Sequence, residues 1–301
     1  MSKQAVLIVN TKSRQGRDRF AQARSGLTAR GIEITEALAV RDPKDLPGRV
    51  QKAVLSGTET VVVGGGDGTL SSVVQYFVGA QSVLGVLPLG TGNAFARDLS
   101  IASDVEVACD VIARGQVTPI DLGIANKQYF VNVATVGLTT LIAQELNNEA
   151  KKRWGKFVYL FAITRALMRI RPFQVTLETA EETRTFETLQ IVIGNGRFHA
   201  GPFPLAPDAT ITDGKLVVYA LGNASKWTLL RYALNLPGGH HVDLPDVDAI
   251  MTTRGAVVTR PLERVTVDGE ISLRTPLHFG ISPRALRVMT PAGFGREPSA
   301  P

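Results

Sequence analysis

The sequence predicts an α/β N-terminal domain with a mostly parallel sheet, followed by a mainly antiparallel β-sandwich C-terminal domain. Three observations carry that expectation. Short, wholly apolar runs alternate with helical patterns as far as Asp121, the grammar of strands covered by helices on both faces. After Asp121 the runs are β-rich, closely spaced and separated by turn residues, which suits antiparallel pairing. The chain has 301 residues, beyond the roughly 100–200 of a usual single domain. The expected divisions are residues 1–122, residues 123–289, and a tail over 290–301 that either frays or returns to the first domain.

Taken in order, Ala5–Val9 is an unbroken apolar strand. Arg17–Arg30 is helical in composition and stops at Gly31, which suits a C-cap. Ile32–Leu38 alternates, and Lys44–Leu55 is a second helix that ends before Gly57. Thr60–Val63 is a strand, Leu70–Val78 a helix and Val83–Leu87 a strand. Asp104–Ala113 is a helix with Ser103 as its expected N-cap. Strands are then expected at Tyr129–Ala134, Phe173–Thr179, Thr185–Gly194, Lys215–Leu221, Ala256–Thr259, Arg264–Val267 and Arg284–Met289. One helix, Lys151–Ile170, interrupts them.

The most informative stretch is Val61-Val62-Val63-Gly64-Gly65-Gly66-Asp67-Gly68-Thr69-Leu70, an apolar strand running through a glycine loop into a helix. Glycines let backbone N–H groups approach a phosphate with no Cβ in the way, and a helix N-terminus adds a favourable field. Asp67 is poorly suited to touching phosphate but well suited to a Mg²⁺ that bridges phosphates. Thr69 can cap the helix or donate to a phosphate oxygen. A tight turn without a ligand is the plainer alternative. GxGxxG would need glycine at Thr69, and GxxxxGK[ST] has no match in the stretch.

A second loop, Leu87-Pro88-Leu89-Gly90-Thr91-Gly92-Asn93-Ala94-Phe95-Ala96-Arg97, again follows an apolar strand. Thr91 and Asn93 offer neutral donors there. Asn10-Thr11-Lys12-Ser13-Arg14, after the first strand, adds two cations and two hydroxyls. In a parallel sheet the loops at the C-terminal strand ends share one crevice. Three such loops, one acidic and one basic, describe a site for a Mg-nucleotide.

Composition bounds the rest. Lys and Arg number 33 against 27 Asp and Glu, a net charge of +6. That mild excess suits a phosphate-bearing ligand or a lipid surface. The basic residues are scattered without a helix-turn-helix or zinc pattern, so no nucleic-acid partner is expected. Cys109 is the single cysteine, which excludes an intrachain disulfide and CxxC metal pairs. His240-His241 follows Gly238-Gly239 and reads as a turn rather than a zinc site. The apolar start is too short for a signal peptide, and Phe157 to Ile163 falls far short of the ~18 residues of a membrane span. A cytoplasmic location is expected.

The sequence resembles the diacylglycerol kinase catalytic-domain superfamily, above all its bacterial lipid kinases, which are relatives of the sphingosine kinases. The resemblance rests on Gly65-Gly66-Asp67-Gly68-Thr69, on Pro88 through Arg97, on Asn195-Gly196, Gly201 and Ala206-Pro207-Asp208-Ala209, on Asp213-Gly214, and on Asp268-Gly269-Glu270. Those segments span nearly the whole chain. Departures are Ser71-Ser72 where the family often has Asn-Glu, Thr11 where it often has Pro, and Ala94 where Asp is common. The resemblance implies ATP bound between the two domains and passed as a phosphoryl group to a lipid hydroxyl. It implies a nucleotide site from Asn10, Thr11, Lys12, Ser13, Arg14, Gly65, Gly66, Asp67, Gly68, Thr69, Leu70, Ser71, Gly90, Thr91 and Asn93. It gives Glu270 the role of proton acceptor, and associates Asp67, Asp121 and Asp268 with catalytic Mg²⁺ and the hydroxyl. A further Mg²⁺ would be held by Asp213 with backbone oxygens of Thr210 and Lys215.

From the residues alone, Asp268-Gly269 and Asp213-Gly214 are hairpin signals. Glu270, two residues beyond Asp268, places two carboxylates at one loop. Phosphoryl transfer to an alcohol needs one group to take the proton and acids to hold metal, and spacing does not say which carboxylate does which. The long helix also reads two ways. Its middle turns are apolar nearly all round, as in a buried helix. Its flanks, Lys151-Lys152-Arg153-Trp154-Gly155-Lys156 and Arg165, Arg169 and Arg171, suit docking on an anionic bilayer.

The expected protein is therefore an ATP- and Mg²⁺-dependent lipid kinase. Its substrate, such as diacylglycerol or phosphatidylglycerol, would be met at the inner face of the membrane, and a homodimer is allowed for. The rivals are an NAD kinase-like enzyme, whose family shares the Gly-Gly-Asp-Gly-Thr turn, and a nucleotide- or lipid-binding regulator without catalysis.

Overall fold

Ala5 to Val9 are all buried at the heart of β1 (Lys3–Asn10), so the fold starts where the apolar run does. The computed structural model describes residues 3–12, 14–145, 165–166, 168–200, 203–204, 209–221 and 247–295. The chain divides into two units, one of residues 1–122, 200–202 and 282–301, the other of residues 123–199 and 203–281.

In the first unit β1 is followed by α1 (Arg14–Ala29), β2 (Ile32–Val40), α2 (Leu46–Leu55), β3 (Thr60–Gly65) and α3 (Asp67–Val74). Next come β4 (Val83–Pro88), α4 (Ala94–Asp98), α5 (Val105–Arg114) and β5 (Gln116–Ala125), whose last residues enter the second unit. The strands run in the order β2-β1-β3-β4 and are parallel throughout. Val9 lies opposite Gly64, and Gly65 opposite Pro88, so the loops after β1, β3 and β4 leave from the same sheet edge.

Helices α1 and α5 are tied by Arg30, whose guanidinium donates to Glu106 at 2.9 Å and to Asp110 at 2.8 Å. The hydrogen bond from Arg30 holds the Asp110 carboxyl below its ordinary range, and Arg30 is itself shifted further toward the charged form. Cys109 is wholly buried between them, and burial pushes its thiol up to about 11. Asp104, not Ser103, caps α5: its carboxylate accepts from the N–H groups of Glu106 and Val107. The Ser103 hydroxyl instead accepts from the Asn93 amide at 3.0 Å. Helices α1 and α3 both begin three residues earlier than the apolar pattern suggested, because polar and glycine residues occupy their first turns.

The second unit contains β6 (Gln128–Phe130), β7 (Val133–Gly137), α6 (Leu138–Glu145), β8 (Phe173–Thr179), β9 (Thr183–Thr188) and β10 (Gln190–Gly194). It continues through β11 (Phe198–Ala200), β12 (Phe203–Pro204), β13 (Leu216–Leu221), β14 (Val247–Thr252), β15 (Arg254–Arg260), β16 (Arg264–Val267), β17 (Glu270–Arg274) and the start of β18 (Leu277–Thr290). One antiparallel layer runs β14-β13-β10-β7-β16-β17, and another runs β18-β15-β8-β9. Alternate side chains of both layers, among them Val136, Ile191, Ile193 and Val218 from one and Val175, Leu177, Val257 and Phe279 from the other, form a single core. Each contributes about 1.5–3 kcal/mol by leaving water. The predicted fold class is the observed one.

Two expected strands are broken. Thr185–Gly194 is two strands, because at Thr188 the chain passes from one layer to the other. There the buried hydroxyl donates to Leu221 O at 2.6 Å, with Gln190 O as an alternative acceptor at 3.0 Å. Tyr129–Ala134 breaks between β6 and β7, where Val131 and Asn132 give their N–H groups to a side chain instead of a neighbouring strand. The expected Arg284–Met289 strand is the end of the much longer β18, hidden by His278, Ser282 and Arg284. At its far end Val288 pairs in parallel with Leu84 of β4, within the first unit. The stretch after Thr290 does not fray as far as it is described, since the Gln116 side-chain amide donates to Phe294 O. Of Lys151–Ile170, only Arg165, Ala166 and the residues from Met168 on are described, and those at 165–166 and 168–169 are helical. Lys151 to Lys156, Gly201, Ala206 to Asp208, His240-His241 and the tail beyond Gly295 lie outside the described residues. Among the described residues, no helix is long and apolar enough to cross a membrane.

Candidate functional site

The loops after β3 and β4 touch through their backbones. A Cβ on Gly90 would lie 2.6 Å from the Gly66 Cα, a distance that real side chains do not tolerate, so both loops keep this approach only as glycine. Helix α3 starts directly at Asp67, with Gly66 as N-cap and no side-chain cap, and its Asp67 and Gly68 N–H groups take no bond among the described residues, the kind of helix start that can meet an anion. Asp67 locks the junction: one carboxylate oxygen accepts from Phe95 N–H at 3.1 Å. Among the described residues its other oxygen takes no bond.

The remaining expected residues divide into those facing the loops and those turned away. The Asn10 amide donates to the Thr69 hydroxyl at 3.2 Å, joining the first loop to the second; Thr69 therefore receives Asn10 and does not cap α3. Lys12 is exposed beside them. Thr11 is buried with its hydroxyl donating to Val40 O, so it is a brace to β2 and brings no donor to the loops. Asn93 is likewise spent internally, accepting from Gly90 N–H and donating to Gly90 O. Arg97 Nε donates to Gly92 O and holds the far end of that loop. Leu70 is a core residue that can offer only backbone; Thr91 is exposed, Gly65 ends β3, and Gly68 and Ser71 lie in the first five residues of α3. Ser13 and the Arg14 side chain lie outside the described residues.

A cavity of about 260 Å³ opens against these loops, lined by Asn10, Lys12, Gly16, Arg19, Gly65, Gly66 and Leu89. Sequence reasoning missed Gly16, Arg19 and Leu89. An arginine inside a helix reads as solvent-facing, and only its place on the buried stripe of α1 could have flagged it.

The late acids sit in the second unit. Asp268 and Gly269, with φ of 46° and 88°, form the tight turn of the β16–β17 hairpin that Asp-Gly announces. The Asp268 carboxylate accepts three backbone N–H bonds, from Asn132 and Val133 on one oxygen and Val131 on the other, each at 2.9 Å. It is a clamp on the β6–β7 bend. Glu270 begins β17, exposed, and its carboxylate takes no bond among the described residues. Asp213 is exposed and closes a turn by accepting from Thr210 and Lys215 N–H groups, but Ile211 lies outside any strand, so no hairpin forms there. Asp121, 2% exposed, accepts from Arg284 N–H and braces β5 against β18.

These contacts test the fit of a cation. Mg²⁺ at phosphates usually takes one or two carboxylates and draws its other ligands from phosphate and water. Asp67, with one oxygen open among the described residues beside the glycine loops, fits that pattern. The Asp268 carboxylate already accepts three N–H bonds, two of them on one oxygen, and serves there as a clamp. Among the described residues no three of His, Cys, Asp and Glu converge on a metal.

Comparison with known proteins covers the chain from end to end. Residues 4–125 match the family described as Diacylglycerol kinase catalytic domain, and residues 132–290 that described as YegS C-terminal NAD kinase beta sandwich-like domain. A protein of Mycobacterium tuberculosis named Diacylglycerol kinase is 32% identical over 88% of this chain and 87% of its own. A Pseudomonas aeruginosa protein named "Probable lipid kinase YegS-like" is 32% identical over 99% of each chain. The crystal structure of a diacylglycerol kinase from Bacillus anthracis superposes with a TM-score of 0.78 over 96% of this chain and 97% of that one, at 22% identity, which speaks for the fold.

Proposed function

Because the chain belongs to the diacylglycerol kinase family of lipid kinases, we propose that it transfers the γ-phosphoryl group of Mg-ATP to a lipid hydroxyl, as in diacylglycerol or phosphatidylglycerol. The observation that carries the reading is the backbone contact of Gly66 with Gly90, with Asp67 fastened across it.

In this mechanism the first unit holds the donor. The N–H groups at the start of α3 receive phosphate oxygens, while Lys12 balances their charge. Asp67, with its open oxygen, would hold Mg²⁺, which would supply charge stabilisation to the transferring group. The second unit serves the acceptor. Glu270 takes the proton as the lipid oxygen bonds to phosphorus, and the bond from phosphorus to the β,γ-bridging oxygen breaks to release ADP. Asp268 acts on Glu270 through the turn it clamps, as a positioning residue. Asp213, with the carbonyls of Thr210 and Lys215, is the proposed seat of a second, structural cation. Positioning and charge stabilisation lower the barrier.

The test is incubation with γ-labelled ATP, Mg²⁺ and a total lipid extract, with NAD offered in a parallel arm. Label in a lipid that disappears in Asp67→Asn is expected. Label released only as free phosphate, or found only on NAD, overturns the reading.

A further inference from the structure

Helix α1 buries one stripe: Gly16, Ala23, Gly26 and Leu27 are buried, Arg19 and Arg30 are half-buried, and Arg17, Asp18, Gln22 and Arg24 are exposed. That stripe follows the three- and four-residue spacing of one helix face. Two arginines stand where packing would place apolar side chains. Arg30 is satisfied by Glu106 and Asp110. Arg19, three residues on from Gly16, has no ion pair and no hydrogen bond among the described residues, and lines the cavity with Lys12 and the loop glycines. A Cβ on Gly16 would lie 2.9 Å from Asn10 O, so this glycine lets the first turn of α1 press against the β1 loop and sets Arg19 at the cavity wall.

A partly desolvated guanidinium is costly unless an anion meets it. Among the described residues no carboxylate lines this cavity, which leaves the anion to come from a ligand. The volume of about 260 Å³ is below the ~300–1,000 Å³ of a site that engulfs a whole drug-sized ligand. It suits a phosphate chain with the rest of the nucleotide outside. We infer that Arg19 is a binding residue for the polyphosphate of the nucleotide, forking two N–H donors onto its oxygens. This rests on the nucleotide reading of the loops and adds to it a residue that the loop motifs do not contain.

Titration calorimetry of the full chain with Mg-ATP, inorganic tripolyphosphate and adenosine tests it, using Arg19→Gln, Arg19→Lys and, as control, the exposed Arg17→Gln. Losing charge-assisted bonds is expected to weaken both ATP and tripolyphosphate by about 10- to 100-fold. Arg19→Lys should recover part of that loss, while adenosine binding and the Arg17→Gln titrations stay at wild-type values. Arg19→Gln should melt no lower than wild type, since the guanidinium has no protein partner to lose. Wild-type affinity in Arg19→Gln, an equal loss in Arg17→Gln, or a melting temperature well below wild type overturns the inference. If wild type binds tripolyphosphate through Arg19 but not ATP, the nucleotide reading fails and the Arg19 assignment stands. Binding of neither by wild type ends both.

Discussion

Asp268→Asn isolates what the clamp at the β16–β17 turn does. Asn is the non-glycine residue best suited to the positive φ of 46° at this position. The substitution therefore keeps the turn and removes the charge. It also replaces one acceptor oxygen with a donor. In the milder orientation the new NH₂ faces Val131 N–H and one bond is lost; in the other it faces Asn132 and Val133 and two are lost. A bond to a charged acceptor nets about 1.5–3 kcal/mol. With one N–H left facing a donor, the cost is about 2–4 kcal/mol. For a unit of this size that lowers the melting temperature by about 4–16 °C. Thermal melting measures the loss, and amide hydrogen exchange at Val131, Asn132 and Val133 locates it. Activity should fall through kcat as Glu270 loses its fixed place. A variant that melts with wild type and keeps those three amides protected, yet is inactive, would refute the positioning role and make the Asp268 carboxylate a direct participant.

Three further outcomes are expected. Gly90→Ala places a Cβ 2.6 Å from Gly66 Cα and 2.8 Å from Asn93 Oδ1. It should cost about 1–3 kcal/mol of stability and at least about tenfold in ATP affinity by calorimetry; unchanged binding would deny that the loops act as one cradle. Burial raises the Glu263 carboxyl above its ordinary range, so the protonated form favours folding. Its stabilising contribution is complete below the unfolded carboxyl value and lost as pH rises through the raised folded one. Glu263→Gln should therefore melt higher than wild type at pH 8, with the gap closing near about pH 4; a lower melting temperature at pH 8 contradicts this. Cys109, buried and with its thiol pushed up to about 11, should resist a disulfide-exchange reagent at pH 8 until guanidinium unfolds the chain; rapid labelling of the native protein would show a reactive thiol.

The first unit was legible because each strand is covered on both faces, so Ala5–Val9, Thr60–Val63 and Val83–Leu87 stand out as unbroken apolar runs. The second unit hid its corners. Alternation continues straight through Thr188 although the chain changes layer there, because a single buried hydroxyl, not a break in pattern, makes the bend. β17 is exposed at Glu270, Ser272 and Arg274 and β18 is interrupted by exposed His278, Pro283 and Arg284, so neither shows an unbroken apolar run. At the site, the glycine loops announced themselves, since close backbone approach demands that residue type. The partners of Asp268 could not be read, because backbone N–H groups at 131–133 have no side-chain signature. Thr11 and Asn93 carried suitable donors in the sequence, and only the structure reveals that loop bracing consumes them.

The route of β18 has a consequence for biosynthesis. Residues 282–290 complete the sheet of the first unit beside β4, yet residues 123–281 must all leave the ribosome before they can do so. Until then β4 is an edge strand whose six residues, Val83–Pro88, would be buried in the finished protein. An apolar edge without its neighbour templates pairing between chains. A nascent chain stalled inside the second unit therefore carries the loops after β1, β3 and β4 on a sheet that is still open, and truncations upstream of Ser282 should be rescued by chaperones or lost to aggregation rather than accumulate as a free N-terminal domain.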